Sequence, residues 1–195
     1  ADLSPGKPVT LSWTNKDGVL FQQIISIDEH YMFTVQQRVT NSSDKVADVR
    51  PYGRIARRGT PDVLDFYILH EGLLGVFNGV LTEVDYDDLE DIDAKDIANE
   101  KSTGGWIGIT DKYWLAALIP DQDNAVETWF KGVVQSGVAN YLTDLRGKEM
   151  TVASGAQNSV TNRLFAGAKE AKLIVDYRDN LNITRFDLAI DWGWF

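Results

Sequence analysis

The sequence predicts a mainly β domain, a sandwich or meander of antiparallel strands, and three observations carry that prediction. Short stretches of alternating apolar and polar residues recur at roughly ten-residue spacing, broken by turn chemistry, which is the pattern of hairpins rather than of βαβ units. Asp17-Gly18 sits between two such stretches as a strong hairpin signal. Residues 104–122, GGWIGITDKYWLAALIPDQ, concentrate the apolar mass in two runs, Trp106 to Ile109 and Tyr113 to Ile119, separated by Thr110-Asp111-Lys112. Those runs are expected to pair as a central hairpin, with Trp106, Tyr113 and Trp114 packed in the core.

In order along the chain, Leu11 and Trp13 lead to the Asn15–Gly18 turn, Phe21 to Ile27 makes the next strand, and Tyr31 to Val39 a third whose Tyr31, Phe33 and Val35 share a face. Asn41-Ser42-Ser43-Asp44 is another turn. Phe66 to Leu81 carries apolar runs around His70-Glu71-Gly72. After the central hairpin, Val126 to Gln135 alternates again, Gly137 to Leu142 and Met150 to Ala153 read as weaker strands, and Val160 to Ala166 as the last strand before the period changes. Ala168 to Asn180 places Ala171, Ile174, Val175 and Arg178 at helical spacing and is the helix of the chain. Phe186 to Trp194 can be read at either period. A strand puts Phe186, Leu188, Ile190, Trp192 and Trp194 on one face, whereas a helix aligns Phe186, Ala189, Ile190, Gly193 and Trp194; the strand accounts for all five large apolar residues and is preferred.

Composition bounds the function. The chain has 195 residues, 44% hydrophobic and 25% charged, enough for a core and expected to form one domain over 1–195. Without cysteine, it has neither a disulfide nor a thiolate nucleophile or ligand. A net charge of −10 argues against a general grip on nucleic acid or anionic lipid. No run approaches the ~18 apolar residues of a membrane helix. The start, ADLSPGKP, and the close on Trp192-Gly193-Trp194-Phe195 read as the two ends of an excised segment.

Arg50, Arg54, Arg57 and Arg58 form a basic cluster around Pro51-Tyr52-Gly53; pairing with nearby acids is preferred over an anion patch. His70 beside Glu71 suggests acid/base chemistry, but neighbours on a strand face opposite ways, so a structural role is preferred. Glu83 to Lys101 holds nine acids against Lys95 and Lys101, yet from Asp85 or Asp87 no glycine falls at the sixth position of a calcium loop. A solvated loop or short helix over a sheet edge is expected there. Asn41 and Asn182 lie in N-x-Ser/Thr sequons. No P-loop, Rossmann glycine pattern, nucleophile elbow or zinc-helix motif is found, and no catalytic residue, metal ligand or cofactor is assigned.

The blocks PYGRIARRGTP, ILHEG, GGWIGITDKYWLAALIPDQ, LFAGAKE and DLAIDWGWF, in that order, resemble the large periplasmic domain of the bacterial YidC-type membrane protein insertases from about Leu11 to Phe195. The resemblance implies a twisted antiparallel β-supersandwich like that of galactose mutarotases, with a helix near the C-terminus and some strands upstream of this segment. It implies a full-length protein in the inner membrane of a Gram-negative bacterium, one transmembrane helix before this domain and several after it. The hydrophilic groove and embedded arginine of such insertases lie in the membrane region, so no arginine here inherits that role. The expected function is a non-enzymatic accessory domain, a docking or scaffolding surface for Sec translocon components or nascent membrane proteins, with no nucleic-acid partner. Phe186, Leu188, Ile190, Trp192, Trp194 and Phe195 would position it near the bilayer, where exposed Trp rings suit the interface, although Trp192 packed in the core is the plainer reading. The alternative is a carbohydrate-binding or mutarotase-like sandwich, and a third reading is a freestanding adhesin-like sandwich.

Overall fold

A computed structural model describes residues 2–62, 69–90 and 97–191. The elements in order are β1 (Val9–Thr14), β2 (Val19–Ile27), β3 (Met32–Asn41), β4 (Ala47–Val49), β5 (Tyr52–Arg58), β6 (Gly72–Phe77), β7 (Val80–Asp85) and the short helix α1 (Tyr86–Glu90). They continue with β8 (Ile97–Thr103), β9 (Trp106–Thr110), β10 (Trp114–Ile119), β11 (Ala125–Gln135), β12 (Val138–Gly147), β13 (Met150–Val152), β14 (Gln157–Ala168) and α2 (Ala171–Asn180). A 3₁₀ turn, Phe186–Ala189, follows. The strands form an eight-stranded antiparallel sheet in the order β1-β2-β3-β14-β10-β9-β6-β7, a four-stranded sheet β5-β12-β11-β8 and a small pair β13-β4. This is the predicted twisted antiparallel supersandwich with a helix near its C-terminus.

The predicted hairpins form where turn chemistry permits. Asn15 accepts from Gly18 N–H through its carbonyl (3.2 Å) and from Val19 N–H through its side chain (2.9 Å), while Gly18 takes φ +84°, a conformation that favours glycine. The central hairpin pairs β9 with β10, Leu115 opposite Thr110 and Leu118 opposite Ile107. Gly108 allows that approach, since a Cβ there would lie 2.3 Å from the Ala116 carbonyl oxygen. Only part of this hairpin's aromatic content is core: Trp106 is sealed, but Tyr113 and Trp114 are 64% and 61% exposed, against the packing expected of them. Trp114 lies at the start of β10, opposite Ala168 at the end of β14, on the edge of the paired strands.

The eight-stranded sheet separates two cores. On one face Leu74, Val76, Trp106, Leu115, Ile119 and Phe165 pack beneath α2 and the 3₁₀ turn. On the other, Leu73, Phe77, Ile107 and Ile109 meet Val126, Phe130, Tyr141 and Leu145 of the four-stranded sheet. Alternation explains the division, because successive strand residues point to opposite faces. Strands such as β9, buried on both faces, therefore read as continuous apolar runs.

The helix is where the periodicity puts it, but its buried residues are Ile174 and Tyr177, with Ala171 exposed and Arg178 only half-buried. Tyr177 donates to Asp28 Oδ2 at 2.6 Å; burial, then that bond and the Asp28 charge, raise its phenol above the ordinary value. The strand preferred for Phe186 to Trp194 does not form across Phe186–Ala189. A 3₁₀ turn eclipses residues three apart, so Phe186 and Ala189 both enter the core, with Phe186 edge-on to Trp106 and Phe165. Shape at that core outweighs the count of apolar residues on an ideal strand face.

Candidate docking groove

A concavity on the large sheet lies at its β1 end, between the sheet and the segment that leads into β5. Leu11 and Trp13 of β1, Phe21 and Gln23 of β2, and Gln37 and Val39 of β3 fall in register on one face. The β4–β13 pair stands beside them, contributing Val49 and Met150, and Arg50 and Pro51 continue that wall. Together they enclose a groove of about 330 Å³. Trp13 stacks on Phe21 with ring centroids 5.3 Å apart, yet Trp13 remains 64% and Leu11 57% exposed. Gln37 Nε2 donates to the Tyr52 carbonyl at 3.0 Å and ties the floor to β5.

The wall is fixed from below by Asn41. Its Nδ2 donates to the carbonyls of Lys45 (2.7 Å) and Val152 (2.8 Å), and its Oδ1 accepts from Ser43 N–H (3.0 Å), with the residue wholly buried. The first sequon is therefore a structural tether, while Asn182 is exposed. A buried amide with satisfied hydrogen bonds stabilises only this one arrangement of chains.

The remaining sequence-selected residues divide cleanly. Arg50 pairs with Glu149 (3.3 Å), Arg54 with Asp144 (2.6 Å) and Arg57 with Asp111 (2.5 Å), as the plainer reading of the cluster expects. His70 Nε2 lies 2.9 Å from the Leu73 carbonyl and its Nδ1 3.3 Å from Asp85, whereas Glu71 accepts from Lys112 N–H at 3.1 Å. The two side chains serve different partners, consistent with structural roles. The acidic segment supplies the short helix α1, whose Tyr86 and Leu89 are buried; burial pushes the Tyr86 phenol up to about 12. Phe66 to Ile68, and 91–96 of the acidic run, lie outside the described residues.

At the C-terminal end, Phe186 is buried, and Leu188 and Ile190 pack against the same core. Trp192, Trp194 and Phe195 lie outside the described residues. Asp191 reaches Lys169, whose nearly buried side chain holds it at 3.9 Å, and burial lowers the Lys169 ammonium below its ordinary value despite Asp191. Lys169 N–H donates to the Tyr113 carbonyl (2.8 Å), so this junction adjoins exposed Tyr113 and Trp114. Sequence reasoning assigned these two to the core and gave no role to Leu11, Trp13 and Gln37. The period-two placement of Leu11 and Trp13 was the available signal; their lack of cover was not.

Among the described residues no three His, Asp or Glu side chains gather as a metal site, and no helix is long and apolar enough to cross a membrane. The class defined is a mainly β sandwich domain with an open groove. At the level of fold it is similar to the Slr1438 protein of Synechocystis sp. PCC 6803, with a TM-score of 0.53 at 10% identity over 83% of this chain and 61% of that one. The family model described as the YidC periplasmic domain matches residues 1–195, and the chain belongs to that family. It is 44% identical over 200 residues to the membrane protein insertase YidC of Methylobacterium radiotolerans, covering 99% of this chain and 32% of the relative. It is 42% identical over 193 residues to that of Rickettsia canadensis, covering 99% and 34%. The chain thus spans about a third of the length of these relatives. Membership places it on the periplasmic face of the bacterial inner membrane.

Proposed function

We propose that this domain is a non-enzymatic accessory part of a membrane protein insertase, docking apolar segments of nascent membrane proteins in the groove between β1–β3 and the β4–β13 wall. The observation that carries the reading is the groove itself, an aromatic and aliphatic floor left open on a chain whose relatives are named membrane protein insertases. Exposed apolar surface beside an exposed amide suits an extended segment, whose apolar side chains lie on the floor while Gln23 meets its backbone. Residues 1–195 act as one domain of the longer protein. Sec translocon components are a second class of partner for the same scaffold. The carbohydrate-binding alternative is not favoured by the family match.

Positioning is assigned to the C-terminal stretch. Phe186 anchors it in the core and Leu188 and Ile190 brace it, while the interface role is proposed for Trp192, Trp194 and Phe195 on residue type, since indole rings are favoured there. Alanine at both Trp192 and Trp194 of the full-length protein is expected to weaken insertion, and unchanged insertion would remove this role.

The groove is tested with Trp13→Glu in the full-length protein reconstituted in vesicles. A photo-crosslinker at Gln37 should reach an inserting apolar segment in the parent and lose it in the variant. Crosslinks to purified Sec components instead would reassign the groove to them. Neither crosslink, with folding intact, would end the docking reading.

A further inference from the structure

The outer face of the four-stranded sheet is basic on a strongly acidic protein. β5 contributes Arg54 and Arg58, β12 Arg146, β11 Lys131 and β8 Lys101, and register places them on the same side as Glu127 and Asp144. Among the described residues five cations thus face two carboxylates, within a chain of net charge −10. Each carboxylate is shared. Asp144 lies 2.6 Å from Arg54 and 3.7 Å from Lys131, while Glu127 pairs with Arg146 and lies 3.7 Å from Lys101. Two cations around one anion leave a positive excess at Glu127, where the face meets its end. The sheet holds that excess in place, because Trp129 lies between Arg146 (4.8 Å) and Lys131 (5.7 Å) in cation–π contact.

At one end this face runs into a concavity of about 470 Å³. Arg50, Lys101, Arg146 and Lys148 line it, against Glu127 and Glu149, with Ser102 and Gly147 beside them. A cleft lined mainly by one sign of charge focuses its field and favours an oppositely charged segment. We propose that this face and its cleft dock an acidic segment of a partner polypeptide. The recess selects the partner's form. Carboxylates on a flexible chain can enter a cleft, whereas the headgroups of a flat bilayer meet only its rim. This surface is distinct from the apolar groove, with which it shares Arg50, and so extends the docking reading with a second contact of different chemistry.

The test is calorimetric titration of the domain with a ten-residue glutamate-rich peptide at low salt, repeated as salt rises. Binding should weaken between about 50 and 200 mM salt as screening shortens the reach of the cations. Lys101→Glu with Lys148→Glu should weaken it at least about tenfold, since both are exposed and reversing them places like charges at the cleft. Lys7→Glu with Lys16→Glu makes the same change in net charge at exposed residues that do not line the cleft and should leave binding nearly unchanged. Melting temperatures of both variants establish folding. Equal loss in the two variants, or no binding at low salt, would overturn the proposal. Binding to phosphatidylglycerol vesicles without binding to the peptide would overturn it in favour of lipid. Trp13→Ala, which removes the groove's ring without adding a charge to the lining it shares with Arg50, should not affect peptide affinity, so failure of the apolar groove and of this face are told apart.

Discussion

The two ends of the eight-stranded sheet use the same backbone ladder and reach opposite outcomes. At the β10–β9–β6 end both faces are covered, by α2 and the 3₁₀ turn on one side and the four-stranded sheet on the other. At the β1–β2–β3 end the small β4–β13 pair stands beside one face, and Leu11 and Trp13 remain exposed. The sequences differ accordingly. WIGIT and WLAALI are apolar on both faces, whereas VTLSWT alternates with Thr10, Ser12 and Thr14. Stability is therefore expected to reside at the closed end and binding at the open one, where a side chain can change without a cavity being created.

Phe186→Ala should break this contrast most forcefully. It empties a fully buried site between Trp106 and Phe165 and should cost about 3–5 kcal/mol, read as a lower denaturant midpoint. A loss below about 1 kcal/mol would mean that the C-terminal layer does not stabilise the closed end. Asp144→Ala ranks next. It leaves Arg54, Lys131 and the Tyr52 hydroxyl around a removed carboxylate that is 3% exposed, and should cost about 3 kcal/mol, the low end for a broken buried pair because the cations reach solvent.

The same carboxylate gives a pH dependence. Burial by itself would raise Asp144, but hydrogen bonds from Arg54 and Tyr52, with the Arg54 and Lys131 charges, hold it below the ordinary carboxylate value. Its contribution is then present above the unfolded value, about 3.9, and is lost as pH falls through the lower folded value. Acid unfolding monitored by circular dichroism should show Asp144→Asn with a shallower loss of stability below pH ~4 than the parent. The smallest stability change is expected for Trp13→Ala at the open end. An exposed substitution should stay within about 1 kcal/mol even with the Phe21 stack removed. A larger loss would show the groove floor to be part of the folding core.

Much of the fold is legible in residue order alone. Asp17-Gly18, the double apolar run around Thr110-Asp111-Lys112 and the helical spacing from Ala168 onward each led to the observed element. The misreadings occurred where local pattern left the decision to neighbours. Phe186 to Trp194 has a good strand period, yet the pocket between Trp106 and Phe165 accepts Phe186 and Ala189 from a 3₁₀ turn. Tyr113 and Trp114 are as aromatic as Trp106 but lie at the hairpin turn and the strand end, where they are exposed. The basic face was visible only as a run of arginines. Lys101, Lys131 and Arg146 join it through strand pairing across the four-stranded sheet, which no spacing along the chain reveals.

The amino-acid sequence by itself determined the fold class, the positions of the turns, the single longer helix and membership of the YidC periplasmic family. These depend on local backbone preference, side-chain alternation and motif order, all of which are properties of neighbouring residues. The tertiary structure decided which apolar residues are core and which are surface, and which charges share a face. Burial and field are sums over residues far apart in the chain. Leu11 and Leu115 are the same residue type in strands of the same sheet, and only what packs above each of them makes one a groove floor and the other a core.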